Sequence, residues 1–468
     1  MGEATSVKYY EFRELIAEFA NKFGIPGVAA GLWHKGKTVY AHHGVTSTEN
    51  PLPIDNHTLF QSGSIGKTFT ATALLMLESE GRVDLQSPVR RYIPELRLAD
   101  ESAAKQVTLQ QLLNHTAGWE GDFFPDTGEG DDALARFVCR FNELTQLTSP
   151  GKVFSYNNAA FSLAGRVIEK VTGETYERAI RSMLLQPLGF RESFFSRDEI
   201  MTRRFAVGHT PAEDDRLQIA RPWGLPRNSA PAGGISTSIA DLLAWGRFHA
   251  GDSFRGDGLR ELSFSKLSAM RTPTVHTPGG AFGDAMGIGW FLSNLGDTWL
   301  VSHSGSTPGQ EASLSLLPDY DWALALLTNA SPVGLAMNRE LRQQVLASCT
   351  GIIEEPPKPK SVDSARLTAY AGEYRARGMC CRVDVDEAGE LVLSVNNDPQ
   401  LVEQATEADE ASLSHPMTLQ AGLVDEDTHR YVFKSGLFQG MTGYFDCNSD
   451  GETKGVHLFG RWLHRAKM

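Results

Sequence analysis

A serine and a lysine three residues apart, Ser64 and Lys67, open an apolar stretch of the chain. On a helix that spacing puts both side chains on one face, one turn apart. A serine at a helix N-terminus has exposed backbone N–H groups beside it, and these favour developing negative charge. A lysine next to it takes the serine proton once burial lowers its pKa. Ser-x-x-Lys is common by chance and carries little weight alone. Gly66-Lys67-Thr68 also invites a phosphate-loop reading, but the glycine that motif needs five residues before Gly66 is Gln61.

Two further short motifs gain meaning beside the first. Tyr156-x-Asn158 precedes a helix expected from about Phe161 to Val171. A tyrosine there can relay a proton, and Asn158 can hydrogen-bond a substrate amide. His303-Ser304-Gly305 is expected at the end of a strand running from Trp299. Gly305 would let a substrate approach the backbone closely, and Ser306 would offer a backbone N–H to an oxyanion. Taken singly these are a loop tyrosine, a helix cap and a turn.

Taken in order, they resemble the serine β-lactamase and penicillin-binding-protein superfamily, which pairs Ser-x-x-Lys with a later Lys-Thr-Gly. The Tyr-x-Asn form resembles its class C and peptidase S12 branch. Leu112-Leu113-Asn114-His115-Thr116-Ala117-Gly118, the segment Pro231 to Thr237, and Gly287-Ile288-Gly289-Trp290 are similar to other signatures of that branch. The resemblance spans about residues 10 to 350. It implies a nucleophilic Ser64, with Lys67 and Tyr156 sharing the base and acid roles in an order left open. It also implies an oxyanion hole from the backbone N–H groups of Ser64 and Ser306, and substrate contacts from Asn158, His303 and Gly305. No metal or organic cofactor is expected.

His303 stands where class C enzymes carry lysine. A largely neutral imidazole holds a substrate carboxylate less firmly than an ammonium does. Acyl transfer from a peptide, amide or ester is therefore expected over efficient antibiotic hydrolysis, and the resemblance implies small peptides or amides with D-amino-acid-type substrates. A carboxylesterase or acyltransferase, and a non-catalytic penicillin-binding-type sensor, are the alternatives.

The elements that must position these residues can be read from periodicity. Phe12, Leu15, Ile16, Phe19 and Phe23 give an amphipathic helix stopped by Gly24 and Pro26. Val28–Trp33 and Thr38–His43 read as a hairpin. A buried helix is expected from Ser64 to about Glu80. The middle of the chain is mostly helical, including a helix begun by Ser238-x-x-Asp241. Strands return at Trp299–His303, Ala312–Leu317 and Trp322–Leu327, followed by a helix from Leu335 to Ala347. This is an α+β domain over residues 1–350.

Residues 351–364, with Glu354-Glu355-Pro356-Pro357-Lys358-Pro359-Lys360, read as a linker. Residues 365–468 give short strands at Arg382–Val385, Leu391–Val395, Tyr431–Phe433 and His457–Trp462. Turns are expected at Asn396-Asn397-Asp398 and Asn448-Ser449-Asp450-Gly451, as in a small β-barrel. Tyr370-Ala371-Gly372-Glu373-Tyr374 and Phe459-Gly460-Arg461-Trp462 resemble the lipocalin-like domain of some D-aminopeptidase-type members.

The net charge of −13 argues against a nucleic-acid surface or an anionic-membrane anchor. The five cysteines do not make a disulfide framework. No signal peptide or apolar span is visible, so a cytoplasmic location is expected. His42 and His43 alternate on a strand and are poor joint metal ligands. His115 reads as a loop residue, and Asp126–Asp132 as a solvated loop. The expected partner is a small molecule or short peptide, with self-association left open.

Overall fold

An eight-stranded antiparallel sheet draws on both ends of the first 350 residues, in the order β2-β1-β13-β12-β11-β10-β9-β8. The computed structural model describes residues 9–212, 216–251, 262, 264–396, 417–425 and 427–466. The sheet strands are β1 (Gly27–His34), β2 (Lys37–Gly44), β8 (Val275–Gly280), β9 (Gly283–Met286), β10 (Phe291–Asn294), β11 (Trp299–Thr307), β12 (Gln310–Leu317) and β13 (Trp322–Thr328). A small sheet joins β3 (Phe60–Gln61), β4 (Ser193–Phe194) and β7 (Ser236–Thr237), while β5 (His209–Pro211) pairs with β6 (Leu217–Ile219). The long helices are α1 (Tyr9–Phe23), α2 (Gly66–Ser79), α3 (Asn158–Thr172), α4 (Ile239–Ala250) and α5 (Val333–Thr350).

Alternation along the central strands sorts the core into two layers. Val28, Ala30, Leu32, Leu324 and Leu326 pack against Phe12, Ile16, Phe19, Met337 and Leu341 of α1 and α5. Ala29, Trp33, Ala325 and Leu327 face the opposite layer, which holds Leu243 and Trp245 of α4 and the apolar side of α2. Phe69 of α2 stacks on Trp245 at 3.9 Å between ring centroids, pinning the helix that follows Ser64 to the sheet-facing layer.

Residues 351–363 belong to no helix or strand and lead to a short helix, Ser364–Leu367. Beyond it β14 (Gly372–Ala376), β15 (Met379–Val385), β16 (Leu391–Asn396), β17 (Met417–Asp425), β18 (Arg430–Phe433), β19 (Thr442–Cys447), β20 (Thr453–Leu458) and β21 (Arg461–Arg465) close into an antiparallel barrel. Its interior is filled by Tyr374, Val383, Leu393, Leu423, Tyr431, Phe445, Val456 and Leu463. An eight-stranded barrel is just wide enough to be packed by its own side chains. The barrel therefore offers its loops, not its lumen, to other groups.

Three elements differ from the sequence reading. Ser64 sits in a 3-10 turn, Gly63–Ile65, and the α-helix begins at Gly66. The strand expected to end at His303 continues to Thr307, because β12 pairs with it as far as Thr307–Gln310. The single strand expected over His457–Trp462 is a hairpin, β20–β21, turning at Phe459-Gly460. Both turn residues have positive φ, +49° and +77°, as a two-residue type I′ turn requires. The Asn448–Gly451 turn forms. Of the expected Asn396–Asp398 turn, Asn396 closes β16 and the rest lies outside the described residues.

Candidate active site

From Thr58 to Leu77 every residue is buried except Ser64. The turn that presents it is forced by close backbone approach. Gly63 has φ +50°, and a Cβ there would lie 2.8 Å from the Ser306 nitrogen. A Cβ on Gly305 would lie 1.9 Å from the Ser62 carbonyl oxygen and 2.9 Å from the Ser64 nitrogen. Two glycines thus let β11 run against the serine turn, bringing the backbone nitrogens of Ser64 and Ser306 to one locus. Gly305→Ala is expected to pry the strand from the turn and slow acylation of Ser64 by about 100-fold or more. Labelling kinetics on protein checked by circular dichroism measure this.

Lys67 is fully buried on the first turn of α2. Its Nζ lies 3.0 Å from Ser64 Oγ, 2.7 Å from Asn158 Oδ1 and 2.6 Å from the Ala232 carbonyl oxygen. A neutral amine has two N–H groups and one lone pair. The two carbonyl oxygens take the N–H groups and leave the lone pair facing the serine hydroxyl. Burial, reinforced by the Arg461 charge, holds Lys67 well below the ordinary lysine range, against an opposing pull from Asp122.

Tyr156 is buried, and its hydroxyl faces Ser64, whose hydroxyl favours the phenolate against the burial. Burial raises its pKa, so the neutral phenol is the resting form. Asn157 caps α3, accepting a hydrogen bond from the Ala160 N–H, and Asn158 follows as the first helical residue. The Asn158 amide is engaged at both ends, since its Nδ2 donates to Asp122 Oδ1 at 2.8 Å. It holds Lys67 in place, and one N–H and one lone pair of the amide remain for the substrate contact expected from the sequence.

His303 is buried and stacks on Phe291 at 4.5 Å. Its Nδ1 donates to the Ser304 carbonyl at 2.6 Å, which leaves Nε2 as a lone-pair acceptor without a partner among the described residues. Burial, then the Lys67 charge, pushes it down to about 3, so it is neutral. His115 lies behind Tyr156, 4.3 Å between rings, and its Nδ1 accepts from the Asn157 N–H. It fixes the loop that carries Tyr156, in agreement with the sequence reading.

Two residues of this site were not singled out from the sequence. Arg461, at the start of β21, reaches from the barrel to Asp122: Nε is 2.9 Å from Oδ2 and Nη2 is 3.2 Å from Oδ1. Its guanidinium lies 4.8 Å from the Tyr156 ring centroid. The Tyr156 N–H donates to the Gly460 carbonyl at 2.8 Å, and the Trp462 N–H donates to Ser155 Oγ at 3.1 Å. The β20–β21 turn is thereby stitched to the strand-like segment holding Tyr156, and an Arg461–Asp122–Asn158–Lys67 chain of contacts links the barrel to the nucleophile. Phe459-Gly460-Arg461-Trp462 had stood out as a family likeness, but nothing in its spacing tied it to residue 122.

The β-lactamase family profile matches residues 12–347. The chain belongs to the β-lactamase family. Penicillin-binding protein 4 of Amycolatopsis lactamdurans, a relative in this group, is 31% identical over 362 residues, 76% of this chain and 94% of that one. Protein flp of Staphylococcus aureus strain N315 is 25% identical over 337 residues, 69% of this chain and 64% of that protein. Among solved structures, SurE in complex with D-Leu superposes with a TM-score of 0.74 at 25% identity, covering 97% of this chain and 98% of SurE. A class C β-lactamase from Rhodobacter sphaeroides shares the fold at TM-score 0.59 and 21% identity over 71% of this chain and 99% of that one. The β-lactamase fold thus accounts for the first three quarters of the molecule, and the SurE match extends over the barrel as well.

Among the described residues no group of three His, Cys, Asp or Glu side chains is placed to hold a metal ion, and no helix is long and apolar enough to cross a membrane.

Proposed function

We propose that the protein is a serine hydrolase that forms an acyl-enzyme on Ser64 and cleaves small peptides or amides, with D-amino-acid-type substrates preferred. The observation that carries this reading is the Lys67 amine, 3.0 Å from Ser64 Oγ and otherwise held by two carbonyl oxygens. Lys67 takes the serine proton as Ser64 attacks the carbonyl carbon. The backbone N–H groups of Ser64 and Ser306 receive the developing oxyanion. Tyr156, neutral at rest, passes its proton to the leaving amine as the C–N bond breaks and regains one from protonated Lys67, so both return to their resting forms as the acyl-enzyme forms. Water then attacks the ester carbonyl, and the serine oxygen recovers its proton. Gly305 and Asn158 flank the substrate, while His303, buried with its Nε2 shielded, packs against Phe291 and Tyr156.

The substrate class rests on SurE, which matches along almost the whole chain and was solved with D-Leu. Self-association is proposed from the likeness to the octameric penicillin-binding protein homologue of Pyrococcus abyssi, which matches at TM-score 0.65 and 22% identity over 97% of this chain and 99% of that one.

A D-alanyl anilide and a short-chain aryl ester, compared by kcat/KM, test the reading. Turnover of the anilide, lost in Ser64→Ala, supports it. Turnover of the ester alone favours a carboxylesterase, and stable labelling without turnover favours a sensor. The pH profile is a second check. A base works only when unprotonated, so kcat/KM falls as pH drops through the Lys67 pKa. That limb is expected well below 10.5, the ordinary lysine value. A limb near 10.5 contradicts the assignment of Lys67 as base.

A further inference from the structure

Ser306 is an exposed residue near the end of β11, one step before the Thr307-Pro308-Gly309 turn to β12. Strand ends fray, yet the proposed chemistry needs the Ser306 N–H aimed at one point in space. Directly across the ladder from Ser306 lies Glu311, a carboxyl side chain that is 4% exposed. Its Oε1 accepts from Ser306 Oγ at 2.9 Å and from Ser331 Oγ at 2.5 Å. Ser331 lies between β13 and α5, so one carboxylate oxygen joins the end of β11 to the sheet's far connection. The Thr328 hydroxyl donates to the Glu311 carbonyl at 3.2 Å, fixing its backbone from β13. Gly334 of α5 leaves room for the side chain, since a Cβ there would lie 3.1 Å from Glu311 Cβ.

The site is costly to maintain. Burial pushes the Glu311 carboxyl up to about 7, and among the described residues only the Ser331 and Ser306 hydroxyls oppose the shift. The groups facing it from β11, β13, the following connection and α5 are Ser306, Thr328, Ser331 and Gly334, and none is charged. A buried acid with no cationic partner is seldom a stabilising choice. Its hydrogen bonds converge instead on the residue that supplies the second oxyanion donor.

We infer that Glu311 is a positioning residue that locks Ser306, and with it the oxyanion-binding end of β11, through the Ser306 hydroxyl. This rests on the acyl-enzyme reading above and names a further part of the same site. Glu311 touches neither nucleophile nor base.

The test is saturation labelling of Ser64 with a fluorophosphonate, which separates the maximal rate from the binding constant. Wild type is compared with Glu311→Ala, Glu311→Gln, Ser306→Ala and the Glu311→Ala/Ser306→Ala double variant. Glu311→Ala is expected to lower the maximal rate by about 10- to 100-fold, with the binding constant within about threefold. Glutamine keeps an acceptor oxygen at the same place and is expected to recover the rate to within about threefold of wild type. Ser306→Ala keeps its backbone N–H but loses the tether, so it too is slow, and the double variant is no slower than Ser306→Ala alone. A Glu311→Ala protein labelled at the wild-type rate overturns the inference. So does a loss that glutamine fails to recover and that adds to the Ser306→Ala loss, the pattern of a general structural defect. Should Glu311→Ala not fold, an unimpaired Ser306→Ala overturns it equally. Absence of Ser64 labelling in wild type would bring down the acyl-enzyme reading and this inference together, whereas labelling with unaffected variants brings down only the inference.

Discussion

Lys67→Met is expected to slow acylation of Ser64 by about 10³-fold or more while leaving the fold in place. Methionine keeps most of the volume and the apolar stem, so the packing of α2 against Tyr156 and Phe161, whose rings lie 4.9 and 5.6 Å from Lys67 Nζ, is retained. What is lost is the lone pair facing the serine hydroxyl. Removing one member of a nucleophile–base unit typically costs as much as removing the unit. The Asn158 and Ala232 oxygens are also left without a donor, which lowers stability by about 1–3 kcal/mol. Stopped-flow acylation by an aryl ester, with thermal melting as the control, measures both. Acylation within tenfold of wild type would remove Lys67 from the base role and move it to Tyr156.

Arg461→Ala is expected to disable the site from outside the catalytic domain, and to do so through charge. The guanidinium neutralises Asp122 and depresses Lys67, while Asp122 pulls the lysine pKa the other way. Removing Arg461 leaves Asp122 unopposed beside Lys67, so the lysine becomes harder to deprotonate. The acid limb of kcat/KM then moves up by about one pH unit or more, with a loss of about tenfold per unit on the acid side. Asp122→Asn moves it the opposite way. Parallel pH profiles of the two variants provide the check. Profiles that superpose on wild type would reduce the barrel contact to a scaffold.

The candidate site residues were legible because three short motifs, weak singly, occur in one order along a chain whose apolar periodicity gives the right elements. Ser64, Lys67, Tyr156, His303, Gly305 and Ser306 converge as those motifs imply. The α+β domain and the all-β barrel were equally legible, one from switching periodicity and the other from closely spaced turns. Boundaries were less so where pairing decides them. Gly305 and Ser306 look like a turn, yet β12 holds them in a ladder. Phe459-Gly460 looks like strand interior, yet it is a two-residue turn.

The rest of the site depends on contacts that local sequence does not encode. Asp122 and Arg461 meet across 339 positions of chain. Glu311 gains its meaning only from the cross-strand register that sets it opposite Ser306. The motif points to Asn158 as a substrate ligand but not to its further contacts with Lys67 and Asp122.

The central claim, an activated Ser64, is tested most directly by treating the folded protein with a fluorophosphonate and locating the adduct by peptide mass mapping. The account predicts one adduct, on Ser64, absent from Ser64→Ala. Folded wild-type protein that takes up no probe, or carries it on another residue with Ser64→Ala labelled equally, would contradict it.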